Sequence, residues 1–248
     1  MAVRVYLRVL VGREWRDRFL EKLWVSRNNY PQFGPAFLRR HLETWRMLSI
    51  TRSKRVTDYE PTVSRFVASL HGELFVDVGA NVGFYTWLLA DNFARVIAVE
   101  ADPAIFKYLE RKAPKNCKLL NLAIADRDGT ARLQRNPENL VGGASIMGNK
   151  GIEVPQRSLG ALLSREPIVD LVKLDVEGAE WLVLEGAEDI MPNIRQWVIE
   201  LHDRGRKAQL EEYMQRHGYT CKWLDQNRFP HGYFSRLEWK TSGKQDFE

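Results

Sequence analysis

From residue 72 onward, short apolar runs alternate with segments in which apolar residues recur every three or four positions. Runs of about four to eight apolar residues predict buried strands, and the wider spacing predicts amphipathic helices. The predicted strands are ELFVDV (73–78), ARVIAVE (94–100), CKLLNLAI (117–124), VDLVKLDV (169–176) and IRQWVIELH (194–202). The predicted helices between them are NVGFYTWLLADNF, DPAIFKYLERKA with Asp102 as its N-cap, and AEWLVLEGAEDI. Because strands alternate with helices, we expect an α/β fold with a mostly parallel sheet covered on both faces.

The remaining segments follow other patterns. RDGT (127–130) predicts a turn that leads into a short hairpin strand, TARLQR. A polar helix is predicted over about 205–217, and YTCKWL and HGYFSRLEW predict an antiparallel pair after it. Residues 1–60 have the pattern of a basic amphipathic helix that is interrupted around NNYPQFGP (28–35). We therefore expect two parts, a helical extension over 1–60 and an α/β domain over 61–248.

Composition narrows the class of protein. The chain has 248 residues, of which 44% are hydrophobic and 28% charged, as in an ordinary globular protein that can bury one full core. Its apolar runs are all shorter than the ~20 residues that span a bilayer. Arginines interrupt the N-terminus, which lacks the apolar stretch of a signal peptide. Cys117 and Cys221 are far apart and lack metal-binding spacing. These features predict a cytoplasmic protein without a transmembrane segment.

Positive charge is concentrated in the N-terminal part. Residues 1–60 hold 13 Lys and Arg against 6 Asp and Glu, a net charge of +7, whereas the other 188 residues have a net charge of −2. A basic arm of this kind is typical of contact with nucleic acid, an anionic membrane surface or an acidic substrate, and equally of a solvated helical face.

The segment VDVGANVG, after the first predicted strand, has the position of a cofactor-binding turn. It lacks the lysine of a phosphate-binding P-loop, and Asn81 stands where a dinucleotide fingerprint needs glycine. What remains is Asp77, Gly79, Asn81 and Gly83, with an acid that repels phosphate and suits a cationic ligand such as S-adenosylmethionine. Glu100, 23 residues after Asp77, is placed to accept the ribose hydroxyls of an adenosyl group, although each acid taken singly is also an ordinary residue at a helix start.

Six stretches give the chain a family resemblance, namely VDVGANVGFYTWL, VIAVEADPAIFKYLE, LLNLAIADRDGTARL, LVGGASI, VKLDVEGAEWLVLEGAEDI and WVIELH. In this order, over roughly residues 72–203, they resemble the FkbM family of S-adenosylmethionine-dependent methyltransferases. The resemblance implies a Rossmann-like sheet with an antiparallel last strand, and methyl transfer mostly to hydroxyl oxygens of sugars or polyketide-type metabolites. One departure is Gly160, which stands where the family has an acid near the acceptor pocket.

Site residues follow from the resemblance by position. It implies a cofactor site lined by Asp77, Gly79, Asn81, Gly83, Glu100 and Ala123, with Asp126 near the adenine.

The acceptor side is predicted from strand order. In the usual order the strands VKLDVEG and WVIELH are neighbours, so their carboxyl ends bring together Asp175, Glu177, Glu200 and His202. A hydroxyl acceptor calls for a base, and His202 has the ordinary pKa best suited to that role. Asp175 is the alternative base, or it holds the cofactor's amino group, and Glu177 completes the predicted catalytic set.

Three alternatives remain open for these acids. They could bind Mg²⁺ or Ca²⁺. Lys173, Asp175 and Glu200 could instead form a buried ion-pair network that supports the sheet. Glu177 and Glu180 could be acids favoured by the dipole of the following helix.

Three functions are compatible with the sequence. The first is an O-methyltransferase for a hydroxyl of a sugar, glycolipid or other metabolite. The second is an RNA methyltransferase whose basic arm, residues 1–60, binds phosphates. The third is a cofactor-binding protein without transferase activity.

Overall fold

The computed structural model of the chain describes residues 59–111, 113–135, 144–148 and 150–236. The predicted basic helix therefore lies outside the described residues, except for its last two positions. The helices are α1 (Pro61–Val67), α2 (Phe84–Leu89), α3 (Pro103–Glu110), α4 (Leu159–Leu163), α5 (Glu180–Glu185) and α6 (Lys207–Arg216), with two 3₁₀ turns, Glu188–Asn193 and Arg204–Arg206. The strands are β1 (Gly72–Val78), β2 (Phe93–Val99), β3 (Cys117–Leu120), β4 (Ala123–Ala125), β5 (Gly129–Leu133), β6 (Ile152–Ser158), β7 (Leu171–Leu174), β8 (Gln196–Glu200), β9 (Tyr219–Trp223) and β10 (His231–Arg236).

Seven strands form the main sheet, in the order β3-β2-β1-β7-β8-β10-β9. Neighbours from β3 to β8 are parallel, and β10 is antiparallel to both β8 and β9. The chain runs from β1 outward to β2 and β3, and it then returns to β7 and β8 on the other side of β1, so the direction of the connections reverses at β1. The predicted mostly parallel sheet with an antiparallel last strand is confirmed.

Both faces of this sheet are buried. On one face Trp197, Leu174 and Leu184 belong to the largest apolar cluster. On the other face Val63 of α1 and Phe84 of α2 pack with Phe75 of β1. Parallel strands that are covered on both sides need nearly continuous apolar runs, which explains why the pattern of the sequence predicted them correctly.

The predicted strand 117–124 is wrong as one element, because it divides into β3 and β4. The side-chain amide of Asn121 donates to the backbone carbonyls of Glu100 (2.8 Å) and Ala101 (3.2 Å). These bonds hold the chain at the end of β2, and the residues after Asn121 leave the main sheet. β4 then joins a second sheet of three strands, in the order β4-β6-β5.

Strand β6 was not predicted. Pro155 lies within it, and its outer residues are exposed, so the segment has no apolar run that would mark a strand. Two predicted helices are also shorter than expected, since α2 begins only after Gly83 and α5 ends at Gly186, ahead of a separate 3₁₀ turn.

Candidate active site

A cavity opens at the carboxyl ends of β1, β2 and β7, and the small sheet forms its outer wall. Its lining residues are Val78, Gly79, Asn81, Val99, Glu100, Ala101, Asp102, Ile105, Leu122, Ala123, Ile124, Leu133, Ala144, Ile146, Asp175, Val176 and Glu177. Four of the predicted cofactor residues, Gly79, Asn81, Glu100 and Ala123, are therefore brought together here. In an open α/β sheet this edge is where ligands bind.

The turn after β1 depends on glycine for a steric reason. Gly79 has a φ of 80°, and a Cβ atom at this position would lie 1.7 Å from the backbone oxygen of Asp175. Only glycine therefore lets the end of β1 approach the end of β7 this closely. Gly83 has a φ of 90°, and a Cβ atom there would lie 2.5 Å from Cδ1 of Leu109.

Glu100 is the buried acid of the cavity. Its Oε2 accepts the backbone N–H of Asn81 (2.8 Å), and its Oε1 accepts the backbone N–H of Asp102 (2.7 Å). Burial raises the pKa of Glu100 to about 7, although both N–H donors act to lower it. The carboxylate is thus held in a fixed orientation and changes its charge near neutral pH.

Three of the predicted cofactor contacts are outside this lining. Asp77 is 1% exposed, and its Oδ2 accepts the hydroxyl of Thr86 (2.6 Å), while Oδ1 has no hydrogen-bond partner among the described residues. Burial raises the pKa of Asp77. Gly83 supports the turn by packing on Leu109, and Asp126 faces outward in an ion pair with Arg127 (2.8 Å).

Asp102 and Arg135 form a contact that sequence reasoning missed. Asp102 lines the cavity and caps α3, as predicted, but it also accepts two bonds from the Arg135 guanidinium, at 2.5 and 2.6 Å. This bidentate pair links the small sheet to the main sheet across the rim of the cavity. The spacing of 33 residues gave no indication of it.

The predicted acceptor-side residues also meet. Asp175, Glu200 and His202 each place one ligand atom within 4.8 Å of the others, and Nε2 of His202 lies 3.2 Å from Oε2 of Glu177. We call these four residues the acceptor-side cluster. Asp175 and Glu177 also line the cavity, so the cluster and the cavity share a wall. Glu177 has a φ of 53°, a strained value for a residue other than glycine and one that is enriched at functional sites.

His202 does not keep an ordinary pKa, which changes the predicted role of this residue. Burial opposes its protonation, but hydrogen bonds to Glu177 and to Glu180 (Nδ1 to Oε1, 2.8 Å) raise the pKa of His202 to about 10. The ring of Phe229 lies against it, with centroids 4.6 Å apart. At neutral pH His202 is therefore an imidazolium in this arrangement and has no free lone pair with which to take a proton.

The pKa values of Glu200 and Asp175 are shifted in opposite directions. Burial, with the nearby charge of Asp175, raises the pKa of Glu200 to about 7. Burial would raise the pKa of Asp175 as well, but the charges of Lys173 and His202 outweigh burial and lower it. Of these two carboxyl groups, Glu200 has the pKa that suits proton transfer near neutral pH.

Lys173 is the buried cation of this edge. Its side chain is 3% exposed, its Nζ lies 3.1 Å from Oδ2 of Asp175, and it is the register partner of Asp77 across β1 and β7. Burial works against its charge, but Asp175, Glu60 and Asp77 raise the pKa of Lys173. Of the alternative network predicted from the sequence, Lys173 with Asp175 and Glu200, the ion pair between Lys173 and Asp175 is thus present.

A divalent metal fits the acceptor-side cluster poorly. Asp175, Glu200 and His202 are close enough to hold an ion. However, Lys173 already binds Asp175, and both nitrogens of His202 face carboxylates, at 2.8 and 3.2 Å. Two cations thus occupy the positions that a metal would need, and we do not assign these residues as metal ligands.

A mostly parallel sheet with a glycine turn, a buried acid after its second strand and a site at its carboxyl edge defines the Rossmann-like methyltransferase class. The family model described as the methyltransferase FkbM domain matches residues 77–221, which is more than half of the chain. The chain therefore belongs to the FkbM methyltransferase family, and the family implies S-adenosylmethionine as the methyl donor. A search of curated proteins found no match.

Similar solved structures include one with a TM-score above 0.5, which supports the fold. The crystal structure of methyltransferase FkbM from Methylobacillus flagellatus KT has 16% identity and a TM-score of 0.51, and the match covers 71% of this chain and 46% of that chain. This chain thus spans less than half of the length of that protein. M. capricolum TrmK in complex with S-adenosyl-homocysteine has 12% identity and a TM-score of 0.42, with coverage of 68% and 65%. A putative RNA methyltransferase, PH1948 from Pyrococcus horikoshii, has 14% identity and a TM-score of 0.42, with coverage of 73% and 84%.

In the part of the chain that the structure describes, every helix is too short or too polar to cross a membrane.

The buried ion pair yields a prediction about stability. We expect Lys173→Met to lower the free energy of unfolding by about 3 kcal/mol, because Asp175 loses the cation that compensates its charge. Arg95→Met is the matched control, since its pair with Glu166 (2.6 Å) is partly exposed, and we expect a loss below about 1 kcal/mol. Urea denaturation measures both values. Equal losses in the two variants would show that Lys173 does not compensate Asp175.

Proposed function

We propose that the chain is an O-methyltransferase that transfers a methyl group to a hydroxyl of a sugar, a glycolipid or another metabolite. The observation that carries this proposal is the wall shared by the cavity and the acceptor-side cluster, formed by Asp175 and Glu177. A hydroxyl oxygen is a weak nucleophile until its proton is removed. Groups that exchange protons beside the cofactor cavity are therefore what an O-methyltransferase needs.

The charge of the cavity supports S-adenosylmethionine as its ligand. Among the described residues, the lining contains Glu100, Asp102, Asp175 and Glu177 and no lysine or arginine. Such a wall repels a pyrophosphate and favours a cation. When bound, S-adenosylmethionine supplies a methyl group on a positively charged sulfur.

Each predicted cofactor residue has a role in this proposal. Glu100 accepts the ribose hydroxyls, and Gly79, Asn81 and Ala123 shape the wall. Gly83 and the buried Asp77 support the turn, and Asp126 lies on the adenine side. These assignments rest on the position of each residue at the edge of the sheet.

For the proton transfer we propose Glu200 as the base in place of His202. His202 is already protonated, whereas the pKa of Glu200 is raised to about 7. His202 then acts as a cation that fixes Glu177 and balances Asp175. Most of the remaining rate enhancement in a methyl transfer comes from holding the acceptor in line with the donor.

A second candidate acceptor is RNA. The net charge of +7 on residues 1–60 favours binding to phosphates, and this part of the chain lies almost wholly outside the described residues. We further propose a cytoplasmic location, which agrees with two free cysteines, Cys117 and Cys221.

The acceptor class can be tested by radioactive labelling. We expect the full chain to transfer tritiated methyl groups from S-adenosylmethionine into glycan, lipid or small-molecule fractions of a cell extract. The RNA fraction should remain unlabelled, because the carboxyl groups along the wall of the cavity repel phosphates. RNA labelling that falls steeply with added salt would instead favour the second candidate. Unlabelled fractions throughout, with retained cofactor binding, would contradict the enzymatic proposal.

The pKa of Glu100 predicts how cofactor affinity depends on pH. A carboxyl group with a pKa near 7 is mostly neutral at pH 6 and mostly ionised at pH 8, and the ionised form is the better acceptor for hydroxyls. We therefore expect the affinity for S-adenosyl-homocysteine to be about tenfold weaker at pH 6 than at pH 8. Glu100→Gln should bind weakly at both pH values, and the exposed control Glu110→Gln should behave like the wild type. Calorimetric titration provides the measurement, and an affinity of Glu100→Gln equal to the wild type would remove Glu100 from the site.

The identity of the base predicts the pH dependence of the rate. With Glu200 as the base, methyl transfer should rise up to about pH 7 and level off above about pH 8. With His202 as the base, the rate would continue to rise towards pH 10, because the pKa of His202 is raised to about 10.

We also expect His202→Ala to slow transfer at least ~100-fold without a loss of cofactor affinity, since the cluster loses its cation. A near-normal rate in His202→Ala would exclude it from catalysis.

A further inference from the structure

Glu60 and His231 lie beside Glu200, although both are outside the residues that match the family, 77–221. Nε2 of His231 lies 3.3 Å from Oε2 of Glu60 and 3.6 Å from Oε2 of Glu200. On its other side, Nδ1 of His231 is 3.0 Å from Oδ2 of Asp225. The imidazole thus stands between a carboxylate of the acceptor-side cluster and a carboxylate from the segment that precedes the family domain.

The strand register fixes one half of this arrangement. His231 is the direct partner of Glu200 in the antiparallel pair of β10 and β8, so their side chains meet on one face of the sheet. The His231 side chain is 2% exposed, and those of Glu200 and Glu60 are 12% and 17% exposed. Both distances from Nε2 are longer than a good hydrogen bond, and this buried nitrogen has no hydrogen-bond partner among the described residues, so the imidazole meets the two carboxylates as a neighbouring charge.

The backbone of Glu60 is strained where it supplies the other half. Its φ is 42° and its ψ is 62°, in the left-handed region that residues other than glycine rarely adopt. Contacts on all sides hold it there, since the Tyr85 hydroxyl donates to its Oε2 and the hydroxyl of Ser64 donates to the carbonyl of Tyr59 (2.6 Å). The ring of Tyr59 also packs edge-on against those of Phe84 and Tyr85. A strained residue that the surrounding structure holds in place indicates a functional constraint.

We propose that His231 and Glu60 are positioning residues for Glu200: His231 supplies a cation that favours the ionised form of Glu200, and Glu60, from the segment just before the family domain, supplies an anion that opposes it. This inference rests on the proposed function only in naming Glu200 as the base. The contacts themselves lie in the described part of the chain.

The charges around His231 determine the direction of each effect. Burial opposes its protonation, but Glu200 and Glu60 raise the pKa of His231 to about 10, so it is a cation at neutral pH. That cation, together with Lys173, lowers the pKa of Glu200 against the effects of burial and Asp175. Glu60 is a second anion beside the same imidazole, and the charge of His231 in turn lowers the pKa of Glu60 against burial. Asp225 holds the far side of the ring.

The test is an NMR titration of the full chain with labelled glutamate and histidine. We expect His231→Gln to raise the titration midpoint of Glu200 by about one pH unit, because a neighbouring cation is lost. Glu60→Gln should lower the same midpoint, because a neighbouring anion is lost while the cation of His231 remains. Opposite shifts are a result that general loosening of the fold does not produce. His217→Gln and Glu73→Gln are the matched controls and should leave the Glu200 midpoint unchanged; His217 bonds the carbonyl of Tyr213, and Glu73 is exposed.

Any other pattern, such as no shift in His231→Gln or shifts in one direction in both variants, would overturn the inference. If His231→Gln does not fold, the Glu60→Gln arm and the pKa of His231 in the wild type decide the question, since His231 must remain protonated at pH 8. Once labelling has identified an acceptor fraction, the pH dependence of the rate gives a second readout. Its acidic limb should move to higher pH in His231→Gln and to lower pH in Glu60→Gln. S-adenosyl-homocysteine should bind both variants as it binds the wild type. Because the NMR shifts need no acceptor, they can hold even if Glu200→Gln proves active and the proposed base is wrong.

Discussion

Lys173 places an ammonium group at the buried centre of the sheet, where β1, β7 and β8 lie side by side and where several carboxyl groups meet. Burying a charge is costly unless it is paired, so the position of Lys173 determines which acid is ionised. Asp175 receives the ion pair and stays charged. Glu200, farther from the ammonium and next to Asp175, is left with a raised pKa. One buried cation thus divides similar acids into a permanent anion and a group that can exchange a proton.

The two halves of the site follow from this division. On the cofactor side, the glycine turn brings β1 against β7, and Glu100 is fixed by two backbone N–H groups, so the wall of the cavity is preorganised and negative. On the acceptor side, the cations Lys173 and His202 are already paired with carboxylates, and Glu200 remains available for the proton of a hydroxyl. Asp175 belongs to both sides, which couples the binding of a positive methyl donor to the state of the acceptor-side cluster.

Much of the sheet could be predicted because buried parallel strands have nearly continuous apolar sequences. The carboxyl ends of such strands are also where side chains from distant segments of the chain meet. This is how Asp175, Glu177, Glu200 and His202 could be placed together from the sequence. Strand β6 escaped prediction because its residues are largely exposed and Pro155 interrupts it. The charge state of His202 escaped prediction because it depends on how closely Glu177 and Glu180 approach the ring, and no sequence pattern gives these distances. The pairs of Asp102 with Arg135 and of Glu60 with His231 depend on loop paths that no spacing encodes.

The account depends on a site whose negative charge selects a cationic sulfur compound over a phosphorylated nucleotide. Isothermal calorimetry of the full chain with S-adenosyl-homocysteine, NADH and ATP compares these ligand classes under one set of conditions. Saturable heat with S-adenosyl-homocysteine and none with NADH or ATP is the result that the structure leads us to expect. Heat with either nucleotide, and none with S-adenosyl-homocysteine, would contradict it.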